Sequence, residues 1–396
     1  MFISPIFFFS MPWVLGMLIA FILGINSNIF SEISNFGIFA FSYLFFIFLF
    51  FLLFFRFYSL PSKNLDKILI EGINFFALKN LLILIFISHV IYLICATIFL
   101  GGFPLYWIII GDERTYVDFV IPSISGLFNL TRSFGLVACL LLLMFGNRNN
   151  KKYVYLIGAY FLMSSFFIET SRGNGLVMLL HPIGMYLLLR KIYLKQLSYS
   201  FLLFISLILF FGLIQVLRYG DFDLELLTNN AEFVGLENPN IFLLFFIPAF
   251  LYLSTPIMNM DLNLSNSPDF SIGLNYSLTN ILPSALKNFL SLNQDDKYGL
   301  LVTDAFNTTS FLTPLILDFG AIGGLLIASL FLILTAWIYI KAKEGAIFYI
   351  LIWPPLFMSL VLSSFNLFFL SLVVVIYPLF TLFFSRNLLK SSQTKL

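Results

Sequence analysis

The sequence predicts an all-α polytopic membrane protein, and three observations predict it. Hydrophobic residues make up 60% of the chain and charged residues only 10%, against about 25% charged in an ordinary soluble domain. Mean hydropathy is +1.01, more apolar surface than a water-soluble core can enclose. The apolar residues also fall into runs close to the roughly 20 residues that a helix needs to cross a bilayer core.

Taken in order, the runs are 2–24, 36–55, 80–100, 125–146, 153–170, 174–189, 199–217, 311–340, 346–363 and 366–385, which makes about ten spans. The first is too long for the apolar core of a cleaved signal peptide and lacks a basic lead-in, so it is expected as a retained helix. Cys95 and Cys139 both fall inside spans and are expected as small buried hydrophobes. No Ser/Gly linker and no internal repeat divides residues 1–396, so a single integral-membrane domain is expected.

Basic residues set the orientation. With the N-terminus in the cytoplasm, fifteen of the twenty-one Lys and Arg residues lie inside. They are Arg56, Lys63, Lys67 and Lys79; Arg148, Lys151 and Lys152; Arg190, Lys191 and Lys195; Lys341 and Lys343; and Arg386, Lys390 and Lys395.

Residues 218–310 stand apart. They hold ten of the nineteen acids and three of the basic residues, and are expected as one large external loop. Within it, the apolar run 241–258 is interrupted by Pro248 and Pro256 and followed by polar residues. It is expected as an interfacial or re-entrant helix rather than a crossing.

Four of the six external basic residues are arginines, Arg114, Arg132, Arg172 and Arg218, each near the outer end of a span. Guanidinium binds phosphate in a bidentate fork and stays ionised when partly buried, so a headgroup-level phosphate is the expected ligand. Snorkelling, or pairing with Asp112, Glu113 or Glu169, is the alternative. The sharpest local motif is Glu169–Thr170–Ser171–Arg172–Gly173–Asn174–Gly175, an acid, hydroxyls, an arginine and two glycines between spans. Glycine permits close backbone approach, and free N–H groups opening the next helix favour an anion. Ser171 and Asn174 are therefore candidate binding residues beside Arg172. Asp304, Asn307 and Thr308 close the long loop, and Asp318 follows about two turns inside the next span. A charge there needs a partner; it is a candidate general base or an arginine's partner. His89 and His181 are isolated and make no metal site.

The Ser171–Gly173 turn, Leu217–Arg218–Tyr219, the run Tyr252–Met260 and the segment Asn307–Gly320 occur in that order. Together they resemble the oligosaccharide repeat-unit polymerases, the Wzy or O-antigen polymerase family. The resemblance implies a class-C-like glycosyltransferase of the bacterial inner membrane with its site in the periplasm. The substrate would be oligosaccharide on undecaprenyl pyrophosphate, polymerised into O-antigen or capsule with no cofactor, nucleotide sugar or metal. It further implies that Arg172 binds pyrophosphate and that Arg218 does the same or binds the acceptor sugar. Expected partners are the bilayer, a flippase and a chain-length regulator, with no nucleic acid. A related ligase, or a flippase of the same lipid-linked unit, is the alternative.

Overall fold

In the computed structural model, residues 5–26, 34–60, 64–115, 117–121, 124–190, 228, 240–282, 284–289, 299–302 and 308–388 are described. Among them every regular element is helical. Five stretches are long and apolar enough to cross a membrane: Pro5–Ile22, Gly37–Phe57, Phe75–Ile110, Ile124–Phe145 and Leu312–Lys343. Gly173–Leu189, Ile347–Val361 and Val373–Phe383 are apolar but shorter. The fold is that of a helical membrane protein. The expected span 199–217 lies outside the described residues.

Helices α1 (Pro5–Asn26) and α2 (Asn35–Phe57) are antiparallel, with Phe9 against Phe48 and Trp13 stacked on Phe41. A short amphipathic helix, α3 (Leu65–Gly72), buries Leu65 and Leu69 and leaves Lys67 and Glu71 in solvent. Next come α4 (Phe75–Leu100) and α5 (Pro104–Ile110), divided by a corner at Gly101 and Gly102, both at positive φ. They are followed by α6 (Ile124–Phe145), α7 (Lys151–Met163) with a π-helical continuation Ser164–Ile168, and α8 (Arg172–Leu189).

After the undescribed stretch comes α9 (Ile241–Asn266), then the short helices α10 (Asn275–Ile281) and α11 (Ser284–Phe289). The chain closes with α12 (Leu312–Lys343), α13 (Ile347–Val361) and α14 (Leu372–Leu388).

Pro248 and Pro256, expected to interrupt a short run, lie inside α9, which continues for 26 residues. Just before Pro256 two hydroxyls bond back one turn: Thr255 Oγ1 donates to Leu251 O (2.6 Å) and Ser254 Oγ to Phe250 O (2.9 Å). At about 1.5 Å per residue the helix is about 39 Å long. Gly16 lets α1 approach so closely that an added Cβ would collide with Leu253 O. Asp261, near the C-terminal end of α9, accepts from Ser34 N (2.8 Å) and Ser34 Oγ (2.5 Å) at the head of α2. Helix α9 therefore runs beside α1 in the same direction.

Helix α12 is broken. Gly320 has φ 77° and ψ 175°, a conformation essentially reserved for glycine. The short arm, up to Phe319, doubles back on the long arm so tightly that a Cβ on Gly324 would stand 2.8 Å from Ile316 N. Residues 268–271 take up the backbone groups freed by the break. Ala321 N donates to Pro268 O (2.8 Å), Ile322 N to Asp269 O (3.0 Å) and Ser271 N to Phe319 O (3.0 Å). The short arm starts deep in the bundle, where Phe311 packs on Phe9, Trp13 and Phe369. Phe369 in turn stacks on Phe331 of the long arm.

One end of the bundle gathers the basic segments. Arg190 pairs with Asp66 and lies 5.7 Å over the Phe145 ring. Lys343 Nζ donates to Leu188 O (2.6 Å), and Glu344 accepts from Lys341 Nζ (2.7 Å) and Leu60 N (3.0 Å). The α8 N-terminus and the Gly320 break lie at the opposite ends of their helices from these contacts.

Candidate functional site

The turn between α7 and α8 is built on a buried ion pair. Arg132 of α6 is fully buried. Its Nη1 donates to Glu169 Oε1 at 2.7 Å and its Nη2 to Glu169 Oε2 at 2.9 Å, a bidentate fork. The same guanidinium donates to Ser164 Oγ (3.1 Å) and Asn129 Oδ1 (2.5 Å). His89 Nε2 lies 3.9 Å from Glu169 Oε1, and His89 Nδ1 is 3.0 Å from Tyr160 Oη.

Above that pair the chain widens into the π-helical turn, with Glu169 N bonded to Ser164 O (2.9 Å) and Ser171 N to Ser165 O (3.0 Å). Thr170 follows at φ 47°, the one non-glycine residue with positive φ among the described residues. Ser171 then caps α8, its Oγ accepting from Asn174 N at 3.4 Å. Arg172 is the first residue of α8. The two glycines differ: an added Cβ at Gly173 meets nothing, whereas at Gly175 it collides with the Phe166 ring. Gly175 thus serves packing, and Gly173 is the position open to a ligand.

The other expected site residues divide. Arg132 was expected to bind substrate, but its fork is filled by Glu169. Arg114 is likewise engaged: it forks onto Asp112, donates to Leu100 O (2.6 Å) and sits 4.4 Å over the Trp107 ring. Hydrogen bonds from Arg114 hold the Asp112 carboxyl below the usual aspartate range, and the same pairing raises Arg114. Asp318 is buried, and its carboxylate accepts from Tyr276 N (3.1 Å) and Ser277 N (2.6 Å). It caps α10, whose own N-cap residue Leu274 offers no side-chain acceptor. Among the described residues its partners are these backbone N–H groups rather than an arginine. Thr308 O accepts from Asn259 Nδ2 (2.8 Å), which ties the start of the sunken segment to α9. Arg218, Asp304 and Asn307 lie outside the described residues.

Glu169, weighed as an arginine's partner, takes that role with Arg132; His89, Tyr160 and Asn129 complete the cluster and were not expected as site residues. The available signal was that a charge inside an apolar span needs a partner. Arg132 and Glu169 both carry that demand.

No family model, curated protein or solved structure matches this chain. Its class therefore rests on its own residues: a helical membrane protein with a buried Arg–Glu pair beneath a capped, arginine-headed helix.

Proposed function

We propose that this chain is a membrane glycosyltransferase of the bacterial inner membrane that polymerises undecaprenyl-pyrophosphate-linked oligosaccharide units on the periplasmic face. The observation that carries the reading is the head of α8: Ser171 caps it, Arg172 opens it and Gly173 is unobstructed, at the opposite end of the helix from the basic contacts. A helix N-terminus with an arginine in its first turn suits an anionic headgroup whose lipid tail stays in the bilayer. The ordered motifs around Arg172, Arg218 and Asn307–Gly320 supply the rest of the resemblance.

In this reading an acceptor hydroxyl oxygen attacks the anomeric carbon of the lipid-linked chain. The bond from that carbon to the pyrophosphate oxygen breaks, and polyprenyl pyrophosphate leaves with the electron pair. The hydroxyl proton passes to solvent or a base. Arg172 and Arg218 would stabilise the leaving pyrophosphate, a role in which one preorganised donor contributes about 3–4 kcal/mol, or roughly 10²–10³ in rate. Asp318, committed to two backbone N–H groups, fits a structural part better than a base.

The test is the length distribution of the cell-surface glycan. Arg172→Ala and Arg218→Ala at normal protein levels are expected to leave single capped units and almost no long polymer, with lysine variants intermediate. Full-length polymer from both alanine variants would remove the arginines from the reaction. The broken α12 favours one second reading, a flippase, because transporters build sites at discontinuous helices. Loss of a flippase would leave no capped single units at the surface, whereas loss of a polymerase leaves them.

A further inference from the structure

We infer that Arg132 and Glu169 are positioning residues: a buried ion pair that spans the π-helical turn and fixes the head of α8, and with it Arg172, for the anion. The inference rests on the proposed reading of that helix head as the pyrophosphate site.

Four observations meet here. First, one guanidinium holds both ends of the turn, because Arg132 Nη1 donates to Ser164, the residue that starts the π-turn, and to Glu169, the residue that follows it. Second, the turn is a π-helix, in which the extra residue per turn rotates everything after it relative to an α-helix. That rotation is what brings the Glu169 carboxylate round to α6. Third, Thr170 sits next to Glu169 in the left-handed region, where a β-branched residue is unfavourable and persists only when its surroundings hold it. Its neighbours do so: Glu169 is forked to Arg132, and Ser171 is fixed by its bond to Ser165 and by its cap on Asn174. Fourth, a buried ion pair is not required for stability in general: replacing one with apolar residues of similar size is often neutral or stabilising, which makes geometry the role to test here.

The pair is also electrically closed. The Arg132 charge is matched by Glu169 within hydrogen-bond distance, so the pair adds no net charge beside Arg172, the first residue of α8. Removing both partners alters the turn and leaves the net charge unchanged. This separates positioning from simple attraction of an anion.

The experiment uses the full-length protein in membranes. Gly173→Cys, at the open position, reports the shape of the turn through its rate of modification by a membrane-impermeant maleimide. Undecaprenyl pyrophosphate is the binding probe, and surface glycan length is the activity readout. In Arg132→Met/Glu169→Leu the folded yield and unfolding temperature in detergent are expected to stay near the parent's. The maleimide rate should change several-fold, the probe should bind at least tenfold more weakly, and long polymer should fall at least tenfold. Arg132→Lys, which keeps the charge and loses the fork, serves where the double variant does not fold, and should be intermediate in all three.

An unchanged maleimide rate overturns the positioning role, whatever happens to polymer. Full activity from Arg132→Lys overturns it too, because a point charge would then suffice. A changed rate with normal polymer, in both the double variant and Arg172→Ala, upholds the clamp on the turn and rejects the pyrophosphate reading instead.

Discussion

Between α4, α6, α7 and α8, buried polar side chains pair with one another. Arg132, Glu169, Asn129 and Ser164 form one knot, and His89 pairs with Tyr160 beside it. Around α9 and α12 backbone partners predominate, with the Asp261 bond to Ser34 Oγ as an exception. Asn263 Oδ1 accepts from Leu300 N (2.9 Å) and its Nδ2 donates to Leu300 O (2.8 Å). Asn259 Oδ1 accepts from Val302 N (2.7 Å), and Asp318 caps α10. The difference separates two tasks. Side chain to side chain fixes helices against each other at one point. Side chain to backbone pins irregular segments, whose N–H and C=O groups would otherwise lie buried and unpaired.

The contrast can be broken at its strongest point. Arg132→Ala leaves Glu169 buried without its cation, and removing one partner of a buried pair typically costs about 3–5 kcal/mol. Thermal unfolding in detergent should show the large loss, well beyond that of the Met/Leu double variant. Equal stability in the two would mean that the ion pair is not a closed unit.

On the other side the expected effect is smaller and local. Asn263→Leu removes both bonds to Leu300 and should cost about 1–3 kcal/mol for groups left unmade. Residues 299–302 should become more sensitive to added protease while the α6–α8 half is unaffected. A global loss of stability as large as that of Arg132→Ala would erase the distinction between the two halves.

Smaller still is Arg114→Ala. Its pair with Asp112 is solvent-exposed, so stability at neutral pH should stay within error. Arg114 depresses the folded-state pKa of Asp112, so any contribution is present above the ordinary aspartate pKa and lost as pH falls through the lowered folded value. The variant should show no such acid-side loss, and a large neutral-pH defect would mean that the pair contributes more than its exposure allows.

The last prediction changes no stability at all. Helix α9 parallels α1, so Asn240→Cys and Ser267→Cys are expected to label from opposite faces. Labelling from one face would keep 241–258 an uncrossed part of the external segment; labelling from opposite faces would make it a crossing and also test the placement of Arg218, which no apolar run separates from Asn240.

The long apolar helices α1, α2, α4, α6 and α12 were legible from apolar runs, because burial in lipid demands them. Partners were legible only in part. Asp112 and Glu169 stood among the possible partners of the outer arginines, but across the 37 residues between Arg132 and Glu169 the sequence did not show which arginine Glu169 would take. Asp318 was legible as a buried acid, but its partners are backbone groups of Tyr276 and Ser277, which no residue type announces. The prolines of α9 looked like breaks because Pro248 and Pro256 remove donors. Ser254 and Thr255, read in the sequence only as polar, lie inside that helix with their hydroxyls bonded to Phe250 O and Leu251 O. The break at Gly320 hid inside a long, largely apolar run, although 32 residues, or about 48 Å of helix, already exceed a core of about 30 Å.

That break bears on how the chain is assembled as it is made. Residues 268–271, which receive the open backbone of Phe319 to Ile322, leave the ribosome some fifty residues before Gly320 does. The insertion machinery meets Leu312–Lys343 as one long, largely apolar segment, interrupted near its start only by Asp318. The corner can close only once the earlier segment is in place to receive it. Biogenesis of this region should therefore run by insertion first and folding back second. Shortening the connection between α9 and α12 should trap Leu312–Lys343 before it ever bends.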